Sequence, residues 1–381
     1  MKIVEYKFTF AFAMASLSVR GNPSVRGIAT IGRSSSAIGR TISRAPSTPR
    51  QLTDDCRDKT MTIGPRLNRN VVGIGEAMVE FAPVGQNIYT RGFAGDTLNA
   101  CWHIAQIVGD HGEVGYFTRV GTDPFSGEFL DFLAASGIDS RAIHRDATRS
   151  IGLYVISLSG AERSFSYWRD SSAARRLADD FDAVLAAITG VGLIHISGIT
   201  LAIIGEAGRR NLLKALDVAR SKGSIVSYDP NARPRLWRDA AEMQHTLREA
   251  LAVTDIALPS FDDEAKLWGD GDPEATVKRM TTAGVREIVV KNGQETLVLF
   301  NDGALTRVPT PVVRNIRDTT GAGDSFNAGY LAGRLVGMSP LNACQLGQEV
   351  AGEIISHFGA LAPESSLERF RSHIRDHVKK S

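Results

Sequence analysis

The stretch Asp318-Thr-Thr-Gly-Ala-Gly-Asp-Ser-Phe-Asn-Ala-Gly-Tyr-Leu-Ala-Gly333 decides how this chain is read. Gly321 and Gly323 bracket Ala322, a carboxylate follows at Asp324, and from Ser325 small and apolar residues suit a closely packed helix. Thr319 and Thr320 are of the type that caps a helix, and the glycines let the backbone turn with its N–H groups outward. Such N–H groups at a helix N-terminus, backed by the positive end of the helix dipole, form an anion site. That is chemistry for a phosphoryl group whose oxygens gain or spread charge. The same field favours the ionised form of Asp324 in the first turn, which makes it a candidate base for a hydroxyl. A lone Gly-x-Gly-Asp is usually an ordinary turn before a helix, so the weight rests on the longer string.

Working outward, the rhythm from Phe181 onward is alternately strand and helix. Strands are expected at Leu193–Ser197, Ser224–Asp229, Asp255–Leu258 and Glu287–Lys291, with Val71–Gly75 and Val114–Val120 ahead of them. Leu341–Phe358 reads as a closing helix. This predicts an α/β fold with a doubly wound, mostly parallel sheet. The pattern changes over Gly152–Ser157 and Arg163–Arg169, whose alternation flanks Ser159-Gly-Ala-Glu162 as a hairpin. A hairpin inserted in an α/β chain suggests a small β-sheet lid, with segments at about 86–94 and 150–170. Its aromatics, Tyr154, Tyr167 and Trp168, serve either as the lid's own packing or as ligands. Tyr beside Arg169 suits a carboxylated substrate, because an arginine grips a carboxylate with two hydrogen bonds. A neutral sugar would leave Arg169 without a counter-charge.

Other strand ends carry polar groups. Glu76 follows the first strand, and is equally a substrate contact or a solvated loop residue. In Tyr89–Asn99, Gly95 permits close backbone approach, Asp96 or Thr97 can cap the next helix, and Asn99 points back to its mouth. The two prolines of Asp229-Pro-Asn-Ala-Arg-Pro-Arg-Leu-Trp237 make a stiff loop at a strand end, a site wall with Asn231, Arg233 and Arg235. Pro259-Ser-Phe-Asp-Asp-Glu-Ala265 opens a helix with three carboxylates, which by themselves are ordinary dipole compensation. His195, His103 and His357 lie within apolar strand or helix patterns and read as core histidines.

Composition sets limits. Hydrophobic residues make up 43% and charged residues 23% of 381, ordinary for a globular enzyme. Residues 1–60 carry ten Lys/Arg against four Asp/Glu, leaving 34 and 38 for the rest, so the basic character belongs to the tail. The body is mildly acidic and gives no reason to expect nucleic acid. Cys56, Cys101 and Cys344 lack metal or disulfide spacing, which favours a reducing, cytoplasmic setting. No apolar run has the length of a membrane span. Residues 1–66 form an expected disordered extension, ahead of one domain over 67–381. Between Tyr6 and Thr53 there are arginines, serines and alanines but no acid. That is the composition of a mitochondrial or plastid transit peptide, or of a segment ahead of a start at Met61, the reading preferred.

The string 318–333 resembles the C-terminal signature of the ribokinase-like (PfkB) family of sugar kinases. The resemblance covers roughly residues 70–365, and the chain has neither a Gly-x-x-x-x-Gly-Lys-[Ser/Thr] loop nor the protein-kinase motifs. It implies ATP-dependent phosphorylation of a sugar hydroxyl with Mg2+, Asp324 as base, and Gly321, Ala322 and Gly323 as an anion hole. Gly95, Asp96 and Asn99 match the family's substrate motif, although Ala94 stands where its first glycine is usual. Lys291-Asn-Gly293 resembles the nucleotide-side Lys-x-Gly turn, with Ser260 on the same side. The family's Asn-x-x-Glu motif, which organises magnesium through water, is matched only in part, with Asp263 or Glu264 in the acidic role. Arg91–Asn99, Gly152-Leu-Tyr154, Ser166–Arg169, Arg233–Trp237 and Asp262–Gly269 look like the 2-keto-3-deoxygluconate kinase branch. This implies phosphorylation of the terminal hydroxyl of a keto-deoxy sugar acid, with Tyr154, Tyr167, Arg169 and Arg233 on the substrate. Other ribokinase-like kinases, for fructose or ribose, and a sugar-sensing protein without chemistry stay open. A homodimer through the lid is expected.

Overall fold

The computed structural model describes residues 68–85, 87–159 and 162–380. The expected extension over 1–66, and Cys56 with it, lies outside the described residues. The main sheet has nine strands. Their spatial order is Ala304–Val308, Leu297–Asn301, Glu287–Val290, Ile256–Ala257, Ile225–Asp229, Leu193–Ser197, Asn70–Ile74, Glu113–Phe117 and Ile138–Asp139. Every pairing from Glu287–Val290 to Ile138–Asp139 is parallel; the two at the other edge are antiparallel.

The strands are short apolar runs because both faces are covered. Val71, Leu193, Ile256 and Val289 pack with the helices Asp96–Val108, Ala322–Leu335, Pro340–Ile354 and Glu364–Lys380. Ile74, Ile194, Val226 and Ile288 face the helices Phe181–Ile188, Gly205–Ser221, Ala240–Ala252 and Pro273–Thr282. Chain order reverses between Asn70–Ile74 and Leu193–Ser197, the switch point of a doubly wound sheet, and strand ends there open onto a crevice.

A second sheet of four strands sits at that end, in the order Ile88–Ala94, Met78–Gly85, Gly152–Ser159, Glu162–Trp168. The expected hairpin is present, with Leu153 opposite Trp168 and Ser159 opposite Glu162. Met78–Gly85 is a strand that sequence reading missed, its alternation interrupted by Pro83. Its pairing with Gly152–Ser159 is parallel, so the small sheet is mixed.

Two further expectations are corrected. The helix after Ser339 stops at Ile354, and Glu364–Lys380 follows as the last helix. In that highly charged segment only Leu367, Phe370 and Ile374 are buried. His357 lies past the helix end, half-buried, 2.9 Å from Glu353 Oε1. His195 and His103 are core residues as read, and burial lowers each to about 4. Cys101 and Cys344 are buried free thiols.

Candidate active site

A cavity of about 1040 Å³ lies between the small sheet and the C-terminal ends of the main strands. Of the residues singled out from the sequence as candidate ligands, wall residues or catalysts, all but Trp168, Arg235 and Glu264 line it.

Its floor is the start of the helix Ala322–Leu335. Gly321 is the residue before the helix, in the left-handed conformation at φ 74°, and a Cβ there would sit 3.0–3.1 Å from Ala360. Both facts require glycine. The threonines do not cap the helix. Thr320 instead turns onto Asp318, donating from its N–H at 3.0 Å and its hydroxyl at 2.8 Å. Asp318 in turn accepts from the Gly359 N–H at 2.7 Å, which ties the turn to the following loop. The Ala322 N–H points to the Thr319 carbonyl at 3.2 Å, so one amide assigned to the anion hole is engaged within the turn.

Asp324 accepts a 2.8 Å hydrogen bond from Asn99 Nδ2. The helix field was expected to keep it ionised; its pKa is raised instead. Part of the carboxylate faces the cavity. Burial, then the Asp96 carboxylate, pushes Asp324 up to about 7. Desolvation outweighs the helix field here.

The elements that carry Gly95, Asp96 and Asn99 converge on the same carboxylate. Gly95 precedes the helix Asp96–Val108 with extended backbone, and a Cβ there would overlap the Glu76 carbonyl oxygen. Close packing therefore requires this glycine, while Ala94 fits a regular ladder opposite Met78. Neither Asp96 nor Thr97 caps the helix from outside. Asn99 reaches back to the Gly95 N–H at 3.3 Å, and its amide group continues to Asp324. Asp96 accepts from Asn231 Nδ2 at 2.8 Å, and Asn231 has φ 33°. A non-glycine held in that region at a cavity wall is strain of the kind found at functional sites.

Above these lie Tyr154, Tyr167 and Arg169. The Tyr154 hydroxyl donates to Glu80, and its ring lies 5.6 Å from that of Tyr167. Tyr167 is half exposed. Arg169 is buried and already has a counter-charge, because Glu76 forms an ion pair with it. Glu76 is thus neither a solvated loop residue nor a free ligand. It is 2% exposed, accepts from Ser172 Oγ at 2.5 Å, and is raised by burial against the pull of Arg169. The Arg169 Nε is buried without a hydrogen-bond partner.

On the opposite side, Lys291 ends the strand Glu287–Val290, its N–H bonded to the Pro259 carbonyl and its carbonyl to the Phe261 N–H. Gly293 takes φ 56° in the turn that follows. The helix Phe261–Trp268 separates its acids. Asp263 lines the cavity and is held by Arg233 at 3.2 Å. Glu264 is buried, 1% exposed, and binds Arg279 at 2.6 Å, so its expected role near a metal is withdrawn. Burial raises it to about 7 despite that arginine. No group of three or more metal-binding side chains occurs among the described residues.

A family model for pfkB family carbohydrate kinases matches residues 68–367. This chain belongs to that family. The kinase is 39% identical over 306 residues to the 2-dehydro-3-deoxygluconokinase of Dickeya dadantii, covering 78% of this chain and 98% of that protein. It is 38% identical over 308 residues to the protein of the same name from Escherichia coli K12, covering 79% and 99%. Among solved structures, a Vibrio cholerae fructokinase with fructose, ADP and calcium ion bound aligns at a TM-score of 0.69 and 25% identity, over 80% of this chain and 99% of that one. The protein is therefore a phosphotransferase with an alcohol group as acceptor, on a ribokinase-like fold.

Sequence reading of the kinase missed Asp229 and Asn327. Asp229 accepts from Lys291 Nζ at 2.8 Å, and Asn327 both accepts from Lys291 at 2.9 Å and donates to Asp229 at 2.7 Å. Asn327 lies in the signature itself, one turn beyond Asp324. Its spacing was a usable signal; its partner 98 residues earlier was not.

Proposed function

We propose that this kinase transfers the γ-phosphoryl of ATP to the terminal hydroxyl of a keto-deoxy sugar acid, with 2-dehydro-3-deoxygluconate as the substrate of choice. The observation that carries the reading is the bond from Asn99 to Asp324. It joins the sugar-side helix to the carboxylate at the mouth of the glycine-led helix within one cavity. Asp324 takes the hydroxyl proton, and the amides of Gly321 and Gly323 hold charge on the transferring group, the Ala322 N–H being engaged by the Thr319 carbonyl. Gly95, Asp96, Asn99, Tyr154, Tyr167, Arg169 and Arg233 bind the sugar; Ser260, Lys291 and Gly293 border the nucleotide. ATP enters as its magnesium complex. Asp263, on the cavity wall, fits water-mediated contact to a metal that the nucleotide brings, and not a resident ion.

The acid substrate is favoured by the two relatives that bear its name. The Glu76–Arg169 pair favours a second reading, a neutral sugar, since the guanidinium is already compensated. An ADP-coupled assay with 2-dehydro-3-deoxygluconate, fructose, ribose and gluconate decides between them. Strong turnover of the keto-deoxy acid alone is expected. Turnover confined to a neutral sugar would discard the acid substrate and the carboxylate role of Arg169.

Two organisational readings accompany this one. Residues 67–381 act as one catalytic domain with the small sheet as its lid, and residues 1–66 are dispensable. The lid also pairs two copies of the chain, since Val84, Ile88 and Trp168 leave 61–62% of their surface exposed on it.

A further inference from the structure

Lys291, Asp229 and Asn327 come from three separate elements and meet beside the glycine turn. The Lys291 ammonium has three N–H donors. Two are committed, at 2.8 Å to Asp229 Oδ2 and 2.9 Å to Asn327 Oδ1. Asn327 closes the triangle by donating to the same Asp229 oxygen at 2.7 Å, so its amide can be oriented in one way only. Asp229 and Asn327 are 5% and 1% exposed. Burial pushes the Asp229 carboxyl up, but the Lys291 charge and the bonds from Lys291 and Asn327 outweigh it and hold the acid low, so the pair is ionised.

An ion pair buried this deeply is often only structural. Its placement distinguishes this one. Lys291 lines the cavity rather than the core, and a Cβ on Gly323 would stand 3.6 Å from the Lys291 nitrogen. The ammonium therefore overhangs the second glycine of the turn. Asn327 follows Asp324 by three residues on one helix, so the base and the clamp share a rigid support.

We propose that Asp229 and Asn327 are positioning residues that hold the Lys291 ammonium against the transferring phosphoryl group, where it stabilises developing charge. This rests on the kinase reading above and assigns Lys291 to the reacting group. In the step, the sugar oxygen forms a bond to phosphorus as the bond from phosphorus to the departing ADP oxygen breaks. The leaving oxygen keeps the electron pair, the hydroxyl proton goes to Asp324, and Lys291 stays protonated throughout.

The test is a kinetic cycle on the full-length chain with K291A, N327A, D229N and the two double variants. K291A should lower kcat by about 10²–10³-fold with the KM for ATP within about threefold. Added ethylammonium should recover part of that kcat, which a structural role would not allow. N327A and D229N should each lower kcat about 10–100-fold alone, as a misplaced group does, and add almost nothing on top of K291A. If N327A fails to fold, the isosteric D229N carries the same cycle. The proposal is overturned if K291A keeps its kcat, or if the single losses multiply in full in the double variants. Absence of phosphoryl transfer by the unmodified chain to any sugar would instead defeat the kinase reading, a separate result.

Discussion

Asp324 sits where two effects oppose each other. The N-terminus of its helix favours a carboxylate, while burial and Asp96 favour the acid, and the balance lies near 7. With Asp324 as the proposed base, a proton lost at about 7 in the free enzyme predicts kcat/KM rising with pH and levelling above that value, as a pH–rate profile would read. Asp324→Asn should lower turnover by about 10²–10⁴-fold, with ATP affinity by calorimetry almost unchanged. The same carboxyl has a consequence for stability. Its folded-state pKa lies above the ordinary 3.8, so the folded protein holds the proton more tightly than the unfolded chain. Stability from this group is full below the unfolded value and is lost as pH climbs toward 7. Asn at this position has no proton to lose. The Tm of Asp324→Asn minus that of the parent should therefore be more positive at pH 8 than at pH 5, and an equal difference at both would contradict the raised pKa.

At the scale of elements, two helix starts are held by different means. The Ala322–Leu335 helix begins on Gly321, where positive φ and the proximity of Ala360 coincide. Gly321→Ala should cost about 1–3 kcal/mol by urea unfolding and displace the amides that follow. The Phe261–Trp268 helix is fixed at its far side by Arg279. That arginine donates at 2.6 Å to both Glu264 and Asp270, with its guanidinium 4.7 Å from the Trp268 ring centre. Arg279→Met keeps the chain length and leaves two carboxylates unmatched. A loss of about 3–5 kcal/mol is expected in the same measurement, and a loss below 1 kcal/mol would show the acids are not held by it.

At the scale of the molecule, the cavity exists because the small sheet stands over the switch point of the large one. The Asn99–Asp324 and Glu76–Arg169 pairs each bridge separate parts of this wall. The outer surface of the small sheet carries Ile88 and Trp168, and a lid dimer would bury them. Ile88→Asp should convert a dimer to a monomer in sedimentation equilibrium. A parent chain already monomeric at high concentration would remove the dimer.

Read alone, the sequence determined the α/β rhythm, the hairpin and the glycine-led signature, because these rest on local periodicity and turn chemistry. Leu193–Ser197 is found with the limits expected, and Gly95, Asn99 and Asp324 were legible as one kind of site from motifs alone. The tertiary structure decided what depends on distant partners. Glu264 and Asp263 are neighbours in sequence, yet one is buried on Arg279 and the other lines the cavity. Nothing in the order of residues pairs Arg169 with Glu76, or Lys291 with Asp229 and Asn327. The charge state of Asp324 belongs to the same class, since desolvation is a property of the packed surroundings and a helix dipole is a property of the segment.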